Sequence, residues 1–389
     1  MRPTLISAVI SSLWLLTISG STSASPSPEK RQTQCAATLA TALGVAQRLQ
    51  SNYFNVITGE YSGGSHWTDA NAIENIHNLM LATGTDQFST LADNSYLGRT
   101  ANLQADLGIN LWSTIVGGSY DDASWMILAL WKIADYKAAR GLDNSAYLAS
   151  ANTIYSMVES AWDTTVCGGG VWWSSAKNYK NSITNELYLL VSATGAINFP
   201  SNTAFLENAN LVYNWITNSQ LRNSQGLFND GLTSTCTNNG ETTWVYNQAV
   251  IASGLGALYA VTGNEDLLTQ AEVTLDATIA LLTTGGILKE SCDDAAGATE
   301  CDNDQEAFKG IFTKHLQYYL DRANDPARVA KYSGFLGAQT SAVFHYGTDS
   351  SDDIGSVWYA PNQGGSEFSA TSSSSGLAAH IAAAKYGPC

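Results

Sequence analysis

The sequence predicts an all-α protein, an (α/α)6 barrel of six helical hairpins, and three observations predict it. Apolar stretches with helical periodicity stop six times at a residue suited to end a helix: "LATG" at Gly84, "AARG" at Gly141, "SATG" at Gly195, "AVTG" at Gly263, "RANDP" at Asn324 and "AKYG" at Gly387. The stops lie 57, 54, 68, 61 and 63 residues apart, a repeated helical hairpin with no strand pattern between. After each stop a new helix begins within a few residues, as in "TDQFSTLADN" or "NEDLLTQAEVTLDATIALL", whereas the return connections are long and rich in Gly, Ser and aromatics. Twelve helices result, with short loops on one face of the barrel and long ones on the other. Function belongs on the long-loop face.

From the N-terminus, residues 5–20 form the apolar run "LISAVISSLWLLTISG", preceded by Arg2 and followed by the small-residue run "STSASPSP". This is the pattern of a secretory signal peptide over residues 1–24, too short and too isolated to span a membrane in the mature chain. Residues 25–34 read as a Pro/Ser-rich pro-segment or linker. Its Lys30-Arg31 pair is either a dibasic processing site or two exposed basic residues. No linker interrupts the chain afterwards, so residues 35–389 are expected to form one catalytic domain.

All six cysteines, Cys35, Cys167, Cys236, Cys292, Cys301 and Cys389, lie beyond the leader, an even count that suits an oxidising compartment and up to three disulfides. Of the fifteen pairings, spacing favours Cys292 with Cys301 across a short acidic loop. The C-terminal "HIAAAKYGPC" has no apolar tail of the kind that precedes a lipid anchor, so a released, secreted protein and a monomer are expected. A net charge of −16 argues against nucleic acid, anionic membranes and polyanionic substrates, each of which needs a basic surface. A neutral partner fits better. Eleven Trp and eighteen Tyr exceed what a core of this size needs, and some should face the C–H surfaces of sugars.

The helices that end at the six stops begin some 14 to 20 residues earlier, each with a polar or aromatic cluster: "SHWTDAN" from Ser65, "YDDASW" from Tyr120, "YKNSITNE" from Tyr179, "TTWVYNQ" from Thr242, "DNDQEAFKG" from Asp302 and "SEFSATSSSS" from Ser366. Six parallel inner helices bring these clusters to one mouth. Asp121 and Asp122 then have two readings. Carboxylates at a helix start cap free N–H groups and oppose the dipole, while a carboxylate pair among convergent aromatics and amides is also the means of acid/base chemistry. The doublets Asp293-Asp294 and Asp352-Asp353 lie in loops.

The motifs, taken as a set, resemble glycoside hydrolase family 76, the bacterial and fungal α-1,6-mannanases. They are Asp121-Asp122 with Trp125; Cys167 to Gly170 with Trp172-Trp173, Lys180-Asn181 and Thr184-Asn185-Glu186; Tyr246-Asn247-Gln248; and Asp304-Gln305 with Phe308-Lys309-Gly310. Met126 departs from the second tryptophan of many members and bears on the neighbouring sugar subsite. The resemblance implies hydrolysis inside α-1,6-linked mannan with retention, Asp121 as nucleophile and Asp122 as general acid/base. The physics of the pair is compatible: a helix N-terminus holds one carboxylate ionised, and the second, beside it, keeps its proton. Adjacent aspartates also suit the roughly 5–5.5 Å carboxyl separation of retaining glycosidases better than the longer span that inversion needs.

Trp67, Trp125, Trp172 and Trp173 are candidates to line sugar subsites or to pack. Asn71, Asn181, Asn185, Asn247 and Gln248 suit hydroxyl recognition or helix capping, and Tyr246 and Gln305 stand beside them. Glu186 and Asp304 are the rival carboxylates. "DDAAGATECDND" lacks the spacing of a calcium loop and the five histidines lack ligand spacing, so neither metal nor cofactor is expected. Two other functions stay open: a transglycosylase of the same family acting in wall assembly, and a non-catalytic mannan-binding wall protein.

Overall fold

The computed structural model describes residues 34–389; the predicted leader and the Lys30-Arg31 pair lie outside the described residues. Twelve principal helices alternate between two layers. The outer layer holds α1 (Ala36–Asn52), α3 (Tyr96–Leu107), α5 (Ser145–Glu159), α7 (Thr203–Asn218), α9 (Glu265–Leu281) and α11 (Pro326–Ala342). The inner layer holds α2 (His66–Thr83), α4 (Tyr120–Ala139), α6 (Ser182–Asn198), α8 (Val245–Thr262), α10 (Phe308–Ala323) and α12 (Ala370–Tyr386). Each inner helix packs on the next, and α12 returns to α2, closing the ring.

Burial separates the layers. Outer helices bury one stripe, as α7 does with Phe205, Ala209, Val212, Trp215 and Ile216 at helical spacing. Inner helices are enclosed all round: every residue of α8 from Val245 to Leu258 is buried. The amphipathic signal is therefore weakest in inner helices such as α8 and α12.

The predicted stops hold at Gly84, Arg140-Gly141, Gly263 and Asn324, and each has a residue with positive φ at or just past the helix end, Gly141 in the second case. Gly195 is a correction, because α6 runs through it to Asn198. A Cβ there would stand 2.2 Å from the Phe205 ring, so the glycine permits close approach of α7. Gly387 ends α12 in extended, not left-handed, backbone. The first short connection holds only a single turn, Leu91–Asn94, before α3 begins. Two antiparallel ribbons of two residues per strand, Phe54–Asn55 with Glu60–Tyr61 and Thr283–Thr284 with Ile287–Leu288, correct the expectation of no strands.

Cys292 bonds Cys301 as expected, Cys167 bonds Cys236 between two long connections, and Cys35 bonds Cys389 across 354 residues. The last of these joins the start of α1 to the chain end beyond α12, where the ring closes. Among the described residues no helix is long and apolar enough to cross a membrane.

Candidate active site

The N-terminus of α4 is positioned by a glycine pair and a loop. Gly117 and Gly118 take φ of +61° and +84°, and a Cβ on Gly118 would meet Ser175 Oγ at 2.4 Å. Only glycine turns here and lets the 173–175 loop approach. That loop is clamped to the helix start by Tyr120 N donating to the Trp173 carbonyl at 3.0 Å and Ser175 N donating to the Gly118 carbonyl at 2.8 Å.

Asp121 and Asp122 are half-buried in this setting. Ser119 Oγ donates to Asp121 Oδ1 at 2.7 Å and the Trp173 indole donates to Asp121 Oδ2 at 3.1 Å. Burial raises the Asp121 pKa, and the Ser119 hydroxyl, the backbone N–H groups of Asp122 and Asp121, and the Trp173 indole act against it. Asp122 is pushed up to about 7, by burial first and then by the Asp121 charge, with Asp304 adding to the rise and only the Ser119 hydroxyl opposing it. The donors thus favour ionised Asp121 and leave the proton on Asp122 near neutrality. Because the two carboxyls interact strongly, the titration belongs to the pair.

Around the pair, exposed Trp173 stands edge-on to Tyr179, and Trp67 donates its indole N–H to Asp304 at 3.0 Å. Tyr246 stacks on Phe308 with ring centroids 3.9 Å apart, and its buried hydroxyl feels the charges of Asp230, Asp121 and Glu186. Gln305 exchanges hydrogen bonds with Asp302 at the start of the α10 segment. At the start of α12, Thr371 Oγ1 donates to Asn303 Oδ1 at 3.2 Å, so six helix starts meet at the long-loop face.

Several sequence candidates lie beneath that surface instead. Asn185 is fully buried and holds both backbone groups of Val171. Gln248 does the same for Phe228, and Asn181 caps α6. Trp172 is buried with its N–H on Asp163 and Lys180 Nζ 4.7 Å from its ring. Trp125 is 2% exposed and stacks near Trp67. Met126 is wholly buried in the core, so the missing second tryptophan changes packing at that position. Glu186 and Asn247 are buried with no protein hydrogen-bond partner for their side-chain atoms, and Glu186 is held well above the usual carboxylate range by burial and by Asp230.

Sequence reasoning missed the scaffolding use of the "CGGGVWW" segment. Lys180 Nζ donates to the carbonyls of Asp163, Val166 and Gly169, and the glycines wrap the backbone around the Trp215 ring. It also missed the buried network of Lys314 with Glu74 and Asn71, whose amide in turn donates to the Trp67 carbonyl at 3.0 Å. Lys180 stands in a motif, whereas the sequence around Lys314 carries no signal of its burial.

Fold and site together define an (α/α)6 barrel with a paired-carboxylate centre at its mouth. The chain belongs to glycosyl hydrolase family 76, whose model matches residues 35–385. Among curated relatives it is 26% identical over 284 residues to "Mannan endo-1,6-alpha-mannosidase DFG5" of Saccharomyces cerevisiae, covering 70% of this chain and 58% of that one. It is 27% identical over 210 residues to the enzyme named DCW1 of Candida glabrata, covering 51% and 46%. The chain thus spans less than two thirds of the length of these relatives.

Among solved structures, an inactive double Asp-to-Asn variant of the α-1,6-mannanase of a Salegentibacter species, in complex with α-1,6-mannotriose, matches with a TM-score of 0.73 at 19% identity. That match covers 89% of this chain and 99% of the other. Dfg5 of Chaetomium thermophilum, in complex with glucosamine, matches with a TM-score of 0.75 at 18% identity, covering 92% of each. These likenesses show the shared barrel.

Proposed function

We propose that this chain is a secreted glycoside hydrolase that cleaves internal α-1,6-mannosidic bonds of mannan with retention of configuration. The observation that carries the reading is the unequal environment of two adjacent carboxylates at the mouth of a family 76 barrel. Asp121 has the hydroxyl, indole and backbone donors, while Asp122 keeps its proton to about 7. The kinship with the yeast mannan endo-1,6-alpha-mannosidase DFG5 and the two aspartates replaced in the inactive mannanase support the same reading.

In the first step Asp121 attacks the anomeric carbon as Asp122 gives its proton to the departing glycosidic oxygen. The C–O bond to the leaving chain breaks, and a mannosyl ester forms on Asp121. Asp122, now ionised, takes a proton from water, whose oxygen attacks the same carbon and frees Asp121. Ser119 and Trp173 position the nucleophile throughout. Trp173, Asp304 and Gln305 are the groups at the mouth available to a sugar chain, with Trp67 and Tyr246 buried behind them and Asp304 also adding negative potential that supports the positive charge developing on the ring.

The test is incubation with linear α-1,6-mannan, branched yeast mannan, β-mannan and chitin. Unbranched α-1,6-mannan is cleaved in preference to the rest. Equal or better release of reducing ends from β-mannan would overturn the proposal.

A further inference from the structure

A cavity of about 360 Å³ opens between the C-terminal halves of the inner helices, among Trp131, Asn198, Ser253, Tyr318, Arg322 and Tyr386. It lies away from the carboxylate pair: Lys132 of its wall is eleven residues along α4 from Asp121, about 16 Å at the helical rise. Buried Asn71, Trp125 and Lys314 occupy the inner helices between the two levels, and Glu74 joins them to the cavity wall. The proposed reaction uses none of the cavity's walls.

We infer that this cavity is a second saccharide site, one that binds a neutral mono- or disaccharide at the short-loop end of the barrel. Its charges balance, with Lys132, Arg322 and Lys385 against Glu74, Asp135 and Asp321. Lys385 is already paired with Asp321 at 2.6 Å, and Glu74 with the buried Lys314. After these pairs the walls hold Lys132 and Arg322 against Asp135, a surplus of one positive charge, and Lys132 is already seated over the Tyr318 ring 4.5 Å from its centroid. Arg322 and Lys385 also stand in the last turns of their helices, where they answer the dipoles. What is left for a ligand is a wall of aromatic surface from Trp131, Tyr318 and Tyr386 and a set of polar groups of both kinds.

Carboxylates and the Asn198 carbonyl accept from hydroxyls, while Arg322 and Lys132 donate to them. This combination of ring faces with convergent acceptors and donors is what a polyhydroxylated ring needs. The cavity volume is that of one or two hexose rings. The choice of α-1,6-mannobiose as first probe rests on the proposed activity, whereas the chemistry of the cavity does not.

The experiment is fluorine NMR of the full chain labelled with fluorotryptophan, titrated with α-1,6-mannobiose, maltose, cellobiose and mannose 1-phosphate. Trp131→Phe and Trp173→Phe assign one resonance to each end of the barrel. The Trp131 resonance moves saturably with a neutral sugar, and the double variant Asp135→Ala/Arg322→Ala weakens that response by about tenfold or more. The same variant keeps the wild-type melting curve, the Trp173 response and the rate on mannan. A Trp131 resonance that no neutral sugar moves would overturn the second site, whatever Trp173 does. A response to mannose 1-phosphate alone would overturn its neutrality. A Trp131 response with the Trp173 midpoint that survives the double variant would make it an echo of the mouth and would also overturn it. Absence of mannan cleavage by the parent protein with the Trp131 response intact would instead count against the proposed activity.

Discussion

The indole N–H of Trp173 donates to Oδ2 of Asp121 at 3.1 Å, joining residues 52 apart in sequence. A loop residue thus completes the donor set of a helix-start carboxylate. Trp173→Phe keeps the ring and removes the donor. Asp121 then ionises less readily, so the acidic limb of the kcat/KM profile moves to higher pH. A hydrogen bond to a charged group is worth about 1.5–3 kcal/mol in a protected site and less at this exposed one, so a loss of roughly threefold to tenfold in rate is expected. An unchanged acidic limb would show that the indole only packs.

Asp122→Asn leaves the fold intact and lowers turnover of mannan by about 10²–10⁴-fold, the usual worth of a positioned acid. Aryl mannosides with good leaving groups need no proton and lose far less. In the parent protein the basic limb of the profile falls near pH 7, as Asp122 gives up its proton. Comparing the two substrates across pH checks both statements, and an equal loss on each would remove the acid role from Asp122.

The hairpin repeat and the mouth were legible because they rest on local signals. Helix stops at Gly84, Gly263 and Asn324 need left-handed backbone, and polar clusters at helix starts stand out against apolar walls. Gly195 misled because a glycine required for packing against Phe205 looks the same in sequence as one required for a turn. Asn185 and Gln248 were visible as motif residues, but their amides are spent on the backbone of Val171 and Phe228. Which way such an amide faces depends on a loop that returns from elsewhere in the chain. The donation from Trp173 to Asp121 and the buried Lys314–Glu74 pair are likewise tertiary, with no periodic or spacing signature.

Stability should fall as pH rises through neutrality. Burial pushes Asp69 and Glu306 up to about 7 and Glu290 up to about 8, from ordinary values of 3.8 and 4.5. Over that window the folded chain holds protons that the unfolded chain sheds. The stabilisation is full below the ordinary carboxylate values and is lost as pH passes the folded ones. Carboxylates with depressed pKa, such as Asp86 and Asp353, act oppositely, but only as pH drops below about 4. Buried His77 and His380, held down to about 4 by burial, take up protons on unfolding and oppose this trend below about pH 6.5, so calorimetry should give a higher Tm near pH 6.5 than near pH 8.5, and a Tm that rises between them would contradict the proton inventory.

The three disulfides should contribute unequally. In the loop-closure account the Cys35–Cys389 bond, with a separation of 354, removes more than about 4 kcal/mol of unfolded-state entropy, against about 2.6 kcal/mol for Cys292–Cys301 with a separation of 9. Cys35→Ser/Cys389→Ser therefore lowers the denaturation midpoint more than Cys292→Ser/Cys301→Ser. Chemical denaturation of the two double variants under non-reducing conditions measures the difference, and the reverse order would show that the acidic loop braced by Cys292–Cys301 matters more through Asp293 and its partner Lys309.

The most direct test of the account is a proton NMR time course of linear α-1,6-mannan treated with the protein, read before mutarotation. Two adjacent carboxylates acting by a mannosyl ester on Asp121 release reducing ends whose first-formed anomer is α. A first-formed β anomer, or no new reducing ends at all, would contradict the roles given to Asp121 and Asp122.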